Sequence, residues 1–217
     1  MIPQHLVTLL KAVNKVSPEL VSNSNFLDDE KKIKYMNERT FAYELYRQWQ
    51  NLMEVWHDNL VINAEIEKKC RKKQDFIAKL EEIFGLTKEG KPHRFFYPDL
   101  VCHNSQYTSD NPEVICEIKT KKGIEDKDHT KILHDFKKLS AYMTDGVLLY
   151  NPFKIGVFIL VGGSFSDIKF KREDFIEKKK DDIFCLLYNV KRNNDGKYVP
   201  DVQWKCLKEL NYDEKQQ

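Results

Sequence analysis

The sequence predicts a single α/β domain in which a mixed, largely antiparallel central sheet is flanked by helices. Stretches with apolar residues at helical spacing alternate along the chain with short apolar runs of strand length. The 217 residues contain no internal repeat, and this length suits one domain with a substantial core. Hydrophobic residues make up 41% and charged residues 32%, a balance typical of globular proteins. We therefore expect one domain over 1–217.

Helices are predicted from apolar side chains that recur every three or four residues. A short helix is expected at 3–15 and a long amphipathic helix at 37–56, for which Asn37 is a suitable N-cap. The buried stripe of the long helix contains Phe41, Leu45, Trp49, Leu52, Met53 and Trp56. The remaining helices are predicted at 67–84, where the face is basic and Gly85 ends the helix, at 129–143, and near 172–180.

Strands are predicted where short apolar runs are bounded by turn residues. The two segments that contain Asp99 and Glu117 are separated by a polar turn at 104–112, so we expect them to be antiparallel neighbours. The sequence Asn193-Asn194-Asp195-Gly196 indicates a C-terminal hairpin. The full set of predicted strands is 59–66, the Asp99 segment, the Glu117 segment, 146–150, 155–161, 184–191 and 198–207.

Composition and charge exclude some classes of protein. No apolar run approaches the roughly 20 residues that span a bilayer, and the N-terminus lacks a secretory pattern. We therefore expect no membrane partner. The five cysteines form no Cys-x-x-Cys pair, which favours reduced, buried thiols in a cytoplasmic protein. The net charge of +2 neither requires nor excludes nucleic acid, although basic residues cluster at 68–73, 119–122 and 178–180. Such runs are most often solvated faces.

Two neighbouring strands carry acidic side chains among residues that should be buried. Asp99 follows Pro98 between apolar residues, and Glu117 lies within the apolar run 114–118. Lys119 comes two positions after Glu117, so both side chains point to the same face of the sheet. Burying such charges costs several kcal/mol unless they pair or bind a metal ion. A functional site is the usual place where a fold tolerates that cost.

This arrangement, Pro-Asp on one strand and Glu-Ile-Lys on the next, resembles the signature of the PD-(D/E)XK nuclease superfamily, which has the restriction-endonuclease-like fold. The predicted order of elements matches the αβββαβ core of that superfamily. The resemblance covers about 37–161, so the helix at 3–15 and the segment 164–210, including the C-terminal hairpin, would be additions to the core. The Asn-Glu-Arg sequence that begins with Asn37 also resembles uncharacterised bacterial members.

The resemblance implies a Mg²⁺-dependent (or Mn²⁺-dependent) deoxyribonuclease, more readily an endonuclease than an exonuclease. Asp99 and Glu117 would hold the metal ion, and Lys119 would lie beside the attacking water. These residue types suit the chemistry, because phosphodiester hydrolysis needs an activated water and a cation on the phosphate. Restriction, repair or mobile-element processing are the settings expected for such an enzyme.

A fourth acid is expected from the long helix, and the sequence offers a choice. Glu38 falls near the middle of the apolar stripe at about 100° per residue, whereas Glu44 falls at its edge. Glu38 also matches the glutamate of the Asn-Glu-Arg motif, so we expect it to be a catalytic residue and metal ligand. First-turn glutamates also favour the helix dipole without any further role. Glu44 and, from its strand position alone, Glu65 are secondary candidates.

Other residues are candidates for supporting roles. By strand alternation His103 would share a face with Asp99 if the strand extends that far. Asp135 and Lys138 resemble an Asp-x-x-Lys-Leu pattern that follows the catalytic strands in many relatives, and we expect them to brace the site or contact a phosphate. The lysines predicted to bind nucleic acid are Lys121, Lys122, Lys72 and Lys73.

Two alternatives remain open from the sequence. The chain could be a catalytically inactive module that binds nucleic acid or protein and retains the nuclease fold. An enzyme acting on free nucleotides is a third possibility, but the chain has no Gly-rich phosphate loop. DNA is the expected substrate, and cleavage of both strands of a duplex would favour a homodimer.

Overall fold

The computed structural model describes residues 4–23, 34–35, 38–56, 60–64, 98–104, 112–121, 129–144, 152–168, 176 and 178–210. The predicted helix at 67–84 and the predicted strand at 146–150 lie outside these residues. So do four of the candidate site residues: Glu65, Lys72, Lys73 and Lys122.

Three of the four described helices begin close to their predicted positions, and the short helix at 18–21 was not predicted. The two long ones pack apolar side chains against the sheet and present charged side chains to solvent. The helices are α1 (Gln4–Asn14), α2 (Pro18–Val21), α3 (Glu38–Trp56) and α4 (His129–Tyr142). Short 3₁₀ turns occur at Phe165–Asp167 and Leu207–Glu209.

The six longer strands follow the predicted runs of the sequence, whereas the two-residue strands at 22–23 and 34–35 were not predicted. In chain order they are β1 (Ser22–Asn23), β2 (Lys34–Tyr35), β3 (Leu60–Ala64), β4 (Leu100–Asn104), β5 (Pro112–Thr120), β6 (Ile155–Val161), β7 (Ile183–Arg192) and β8 (Tyr198–Cys206). Strands β1 and β2 pair only with each other within the described part of the chain. The other six form one sheet in the order β3-β4-β5-β6-β7-β8.

The six-stranded sheet is mixed, as the sequence predicts. Strands β3, β4 and β5 are successive antiparallel neighbours, β5, β6 and β7 are parallel, and β8 returns antiparallel to β7. The predictions of an α/β class and of a mixed sheet flanked by helices are confirmed. The expected antiparallel pairing of the Asp99 and Glu117 segments is present between β4 and β5.

Each face of the sheet is covered by its own helices. Helices α1 and α3 pack on one face, where Phe41, Leu45 and Trp49 are fully buried against it. Helix α4 packs on the other face through Phe136 and Leu139. Because side chains alternate along a strand, β5 sends its residues in turn to the two layers.

The C-terminal hairpin extends the central sheet, because β7 pairs along β6. Every residue of β6 is buried, as expected for a strand with parallel neighbours and helices on both faces. The turn between β7 and β8 contains Gly196 at φ 75°, a left-handed conformation that favours glycine. The hairpin indicated by Asn193–Gly196 is thus present.

The predicted helix near 172–180 lies partly outside the described residues; Ile176 is helical, as expected, but residues 178–180 are not. Residues 178–182 form turns, since the N–H groups of Lys179 and Asp182 bond to carbonyls three residues back, at Ile176 and Lys179. Within the described residues, no helix combines the length and apolar character needed to cross a membrane.

Candidate functional site

The register of β4 and β5 brings Asp99 beside Glu117. Leu100 pairs with Cys116 and Val101 with Ile115, so continuing the antiparallel register by one residue aligns Asp99 with Glu117. The Asp99 Oδ2 atom accepts a hydrogen bond from the Ile118 N–H at 2.6 Å. Asp99 therefore lies directly before the first residue of β4, beside Glu117 on β5.

Glu117 and Lys119 point to the α4 side of the sheet. Ile115, two residues before Glu117, packs in the core beneath α4, whereas Cys116 and Ile118 pack beneath α1 and α3. Alternation along β5 then assigns Glu117 and Lys119 to the α4 layer. The two-residue spacing of Glu117 and Lys119 thus places both side chains on the same face of the sheet, as the sequence predicts.

Helix α4 adds an acid and a base above these residues. The Lys138 Nζ atom lies 2.6 Å from the Glu117 Oε2 atom and 3.8 Å from the Asp135 Oδ1 atom. The Asp135 Oδ2 atom lies 3.3 Å from the Lys119 Nζ atom. Asp135 and Lys138 are three residues apart and so share one helix face. Their contacts join α4 to β5 through crossed acid–base pairs.

Glu38 reaches the same place from the opposite layer. It is the first residue of α3, and its Oε2 atom lies 3.5 Å from the Lys119 Nζ atom. Its Oε1 atom accepts a hydrogen bond from the N–H of Thr120, the last residue of β5, at 3.4 Å. The Glu38 side chain is 35% exposed, so it forms the solvent side of the group.

We call this group the carboxylate–lysine cluster; its members are Glu38, Asp99, Glu117, Lys119, Asp135 and Lys138. Glu117 and Asp135 are almost completely buried, at 1% and 3% exposure. Four carboxylates face two ammonium groups, so the ionised cluster carries two negative charges in excess. The Oε1 atom of Glu117 is buried and has no hydrogen-bond partner among the described residues.

Burial and mutual repulsion raise the pKa values of the buried acids. Burial is the largest cause of the raised pKa of Glu117, and the charges of Asp99 and Asp135 add to it against the opposing effect of Lys138. Burial likewise raises the pKa values of Asp99 and Asp135, although the neighbouring lysines oppose the shift. The cluster therefore holds more carboxylates than its lysines can neutralise.

The neighbouring carboxylates favour the charged form of the lysines. Burial alone would lower the pKa of Lys119, but the charges of Asp135, Glu38, Asp99 and Glu117 raise it above its ordinary value. His134, adjacent to Asp135 on α4, has a pKa lowered to about 4 by burial and by the nearby lysine charges. His134 is therefore neutral at pH 7, and the sequence analysis did not single it out.

Glu44 lies in a different environment from Glu38. Its Oε1 and Oε2 atoms accept hydrogen bonds from Arg47 at 2.7 and 2.9 Å, and Gln48 donates a third bond at 2.8 Å. Burial acts to raise the pKa of Glu44, but these hydrogen bonds, the Arg47 charge and the Ser17 backbone outweigh it and lower the pKa. Glu44 thus stabilises the α3 surface near Ser17, although its side chain is more buried than that of Glu38.

His103 and Lys121 lie toward opposite ends of β5, since His103 pairs with Pro112, the first residue of that strand, and Lys121 follows its last residue. The His103 Nε2 atom lies 2.7 Å from the Asn63 side-chain nitrogen across the β3–β4 pair, so this histidine is held by a residue that the sequence analysis did not name. Lys121 follows β5 directly, is 46% exposed, and lies 3.9 Å from Asp167. Its exposed ammonium is available to an anionic partner.

The donor set suits a hard divalent cation, because it consists of carboxylate oxygens. Among the described residues, no group of three or more His, Cys, Asp and Glu side chains is arranged to hold a metal ion. Mg²⁺ commonly uses one or two carboxylates and completes its shell with waters and phosphate oxygens. Asp99 and Glu117, with the buried Oε1 atom of Glu117 lacking a donor in the described part of the chain, meet that smaller requirement.

Comparison of the chain with protein-family models, with curated proteins and with solved structures finds no match. What this site can do chemically therefore has to be argued from its own residues.

Proposed function

We propose that the protein is a Mg²⁺-dependent deoxyribonuclease of the PD-(D/E)XK type that cleaves phosphodiester bonds within DNA strands. The observation that carries this proposal is the Asp99–Glu117 pair beside β4 and β5, in a cluster whose four carboxylates, when all are ionised, exceed the charge of its two lysines by two. A divalent cation would neutralise that excess and satisfy the Oε1 atom of Glu117, which has no donor among the residues described.

Asp99 and Glu117 are the residues that would hold the ion, and Glu38 would join them from the solvent side. When bound, the ion would supply the positive charge that polarises the phosphate and lowers the pKa of a water. Asp99 is already oriented at its Oδ2 atom by the Ile118 N–H, so Oδ1 is the oxygen that would contact the ion. A carboxylate fixed in this way loses little conformational freedom on binding.

Lys119 would act on the phosphate as a cation. Its Nζ atom lies between Asp135 and Glu38, at 3.3 and 3.5 Å, on the exposed side of the cluster. Because these carboxylates keep the amine protonated, Lys119 donates hydrogen bonds and cannot take up a proton. Its role in the proposed reaction is to orient the attacking water and to stabilise the charge that develops on the phosphate.

The test uses purified protein with supercoiled plasmid, linear duplex DNA, single-stranded DNA and a matched RNA, in Mg²⁺, Mn²⁺ or EDTA. We expect metal-dependent nicking of the plasmid, since a closed circle offers no end to an exonuclease. Asp99→Asn, Glu117→Gln and Lys119→Ala should each reduce the rate by about 100-fold or more.

Glu113→Gln is the matched control. Glu113 is also on β5 and is also paired with a lysine, Lys154, at 2.7 Å, but it lies outside the cluster. This variant should cleave at the wild-type rate. Wild-type protein that cleaves none of the substrates and binds neither metal ion would remove the proposal. DNA binding without metal would then favour the inactive binding module.

A further inference from the structure

The two lysines of the cluster occupy unequal positions. The Lys119 side chain is 18% exposed and contacts Glu38, the exposed member of the cluster. The Lys138 side chain is 11% exposed and contacts Glu117 and Asp135, which are 1% and 4% exposed. Lys138 is therefore the inner cation and Lys119 the outer one.

Lys138 binds one of the two carboxylate oxygens of Glu117 and not the other. Its Nζ atom lies 2.6 Å from Oε2, a short charge-assisted hydrogen bond. The other oxygen, Oε1, is buried and finds no donor in the part of the chain that the structure describes. Leaving a buried acceptor unsatisfied costs about 1–3 kcal/mol. Glu117 is thus held at one oxygen and open to a ligand at the other.

Two-metal phosphodiesterases place their ions about 3.5–4 Å apart, and carboxylates commonly face both ions. Here the Oε2 atom of Glu117 already faces an ammonium group, and Asp135 faces the same group at 3.8 Å. A second divalent ion at that place would meet the positive charge of Lys138.

We propose that Lys138 is a built-in second cation, a positioning residue that holds Glu117 through Oε2 and limits the site to one divalent ion bound through Glu117 Oε1 and Asp99. This inference rests on the proposed nuclease function and specifies its metal stoichiometry. It assigns different roles to the two lysines, since Lys119 faces the substrate side and Lys138 faces the metal ligand.

The experiment measures Mn²⁺ binding to the metal-free protein without DNA, by calorimetric titration and by electron paramagnetic resonance. Wild-type protein should bind about one Mn²⁺ per chain. Lys138→Met, which removes the ammonium group and keeps a similar length, should bind about two, because the place of the second cation becomes vacant. Lys138→Arg keeps the charge and should still bind one.

Lys154→Met is the matched control, because Lys154 also neutralises a β5 glutamate, Glu113, at 2.7 Å. It should leave the ratio at one. A wild-type ratio of two, or a ratio of one in folded Lys138→Met, would overturn the inference while leaving the nuclease proposal intact. A wild-type ratio of zero would overturn the inference, and it would remove the nuclease proposal as well if the protein also cleaves none of the substrates. If Lys138→Met does not fold, the ratios of wild type and Lys138→Arg decide: one supports the inference and two overturns it.

Discussion

The Asp99 carboxylate is oriented by a backbone donor, the N–H of Ile118 at 2.6 Å. A backbone donor fixes direction without supplying a full positive charge, so Asp99 stays within the excess negative charge of the cluster. Burial is the largest cause of the raised pKa of Asp99, and the charge of Asp135 adds to it. The Ile118 hydrogen bond and the two lysines oppose the shift. At this residue the requirement for folding and the requirement for binding a cation oppose each other.

Asp99→Asn removes one charge and keeps an oxygen that can accept from Ile118. We expect the metal-free variant to be as stable as wild type at pH 7, or more stable by about 1 kcal/mol, because the repulsion with Glu117 and Asp135 is relieved. Millimolar Mn²⁺ should raise the midpoint of thermal unfolding of wild type and not of the variant. Urea and thermal unfolding with and without Mn²⁺ measure both effects; a clear loss of metal-free stability would contradict the argument.

At the scale of elements, α3 carries two acids with different uses. Glu38 begins the helix and reaches the cluster, whereas Glu44 binds Arg47 and Gln48 along the same helix. Their angles on the apolar stripe predicted an inward direction for Glu38, but its side chain is 35% exposed and that of Glu44 only 6%. The contacts are set instead by position along the helix, because the first turn of α3 lies at the end of β5.

Glu44→Gln should lower the free energy of unfolding by about 1 kcal/mol at pH 7, since the charge-assisted bonds to Arg47 are lost. The pKa of Glu44 is lowered in the fold, so its stabilising effect is present above the pKa of the unfolded chain and is lost as the pH falls through the folded pKa. The difference between wild type and variant should therefore shrink from pH 7 to pH 3 in urea titrations. With Arg47→Met as background, the substitution should have a smaller effect at pH 7.

The β7–β8 turn permits a test of backbone conformation alone. Gly196 has φ 75°, and a Cβ atom added there would meet no heavy atom within 4 Å among the described residues. Gly196→Ala should thus cost about 1–2 kcal/mol through the left-handed backbone alone. Gly196→Asn should cost less, because asparagine tolerates that conformation. Equal losses in urea unfolding would show that the turn changes its conformation.

At the scale of the whole molecule, the C-terminal hairpin belongs to the core. Tyr188 on β7 donates a hydrogen bond to the Val16 carbonyl at 3.0 Å, and its ring contacts Phe41 at a centroid distance of 5.0 Å. Strand β7 also buries Cys185, Leu186 and Leu187 between the two helical layers. Strand β7 thus completes the sheet beside β6.

A chain that ends at residue 163 should therefore fail to fold stably. Burial of each large apolar side chain contributes about 1.5–3 kcal/mol, and losing several from β7 exceeds the usual net stability of about 5–15 kcal/mol. Circular dichroism and proton NMR should show loss of cooperative unfolding. A chain that ends at residue 210 retains every described element and should unfold like the full chain. A cooperative transition in the shorter chain would refute the dependence on β7.

The sequence predicts most of what is local in this molecule. Periodicity locates α3, α4 and β6, and the spacing of Glu117 and Lys119 gives their common face. It cannot give the partners that fold topology chooses, such as Lys138 for Glu117 or Glu38 for Lys119, because those contacts join residues 21 and 81 positions apart. The parallel pairing of β7 with β6 could not be predicted from the sequence either, because a hairpin pattern does not specify the strand beside which the hairpin packs.

The hydrogen bond from the Thr120 N–H to Glu38 makes one amide a reporter on the site. Glu38 belongs to the layer on one side of the sheet and Lys119 points into the layer on the other, so their contact fastens the two layers at the end of β5. Deuterium exchange at the Thr120 amide should be slow while Glu38 keeps this contact and fast once the contact breaks. The exchange rate of this amide proton therefore reports whether the contact between the two layers is formed.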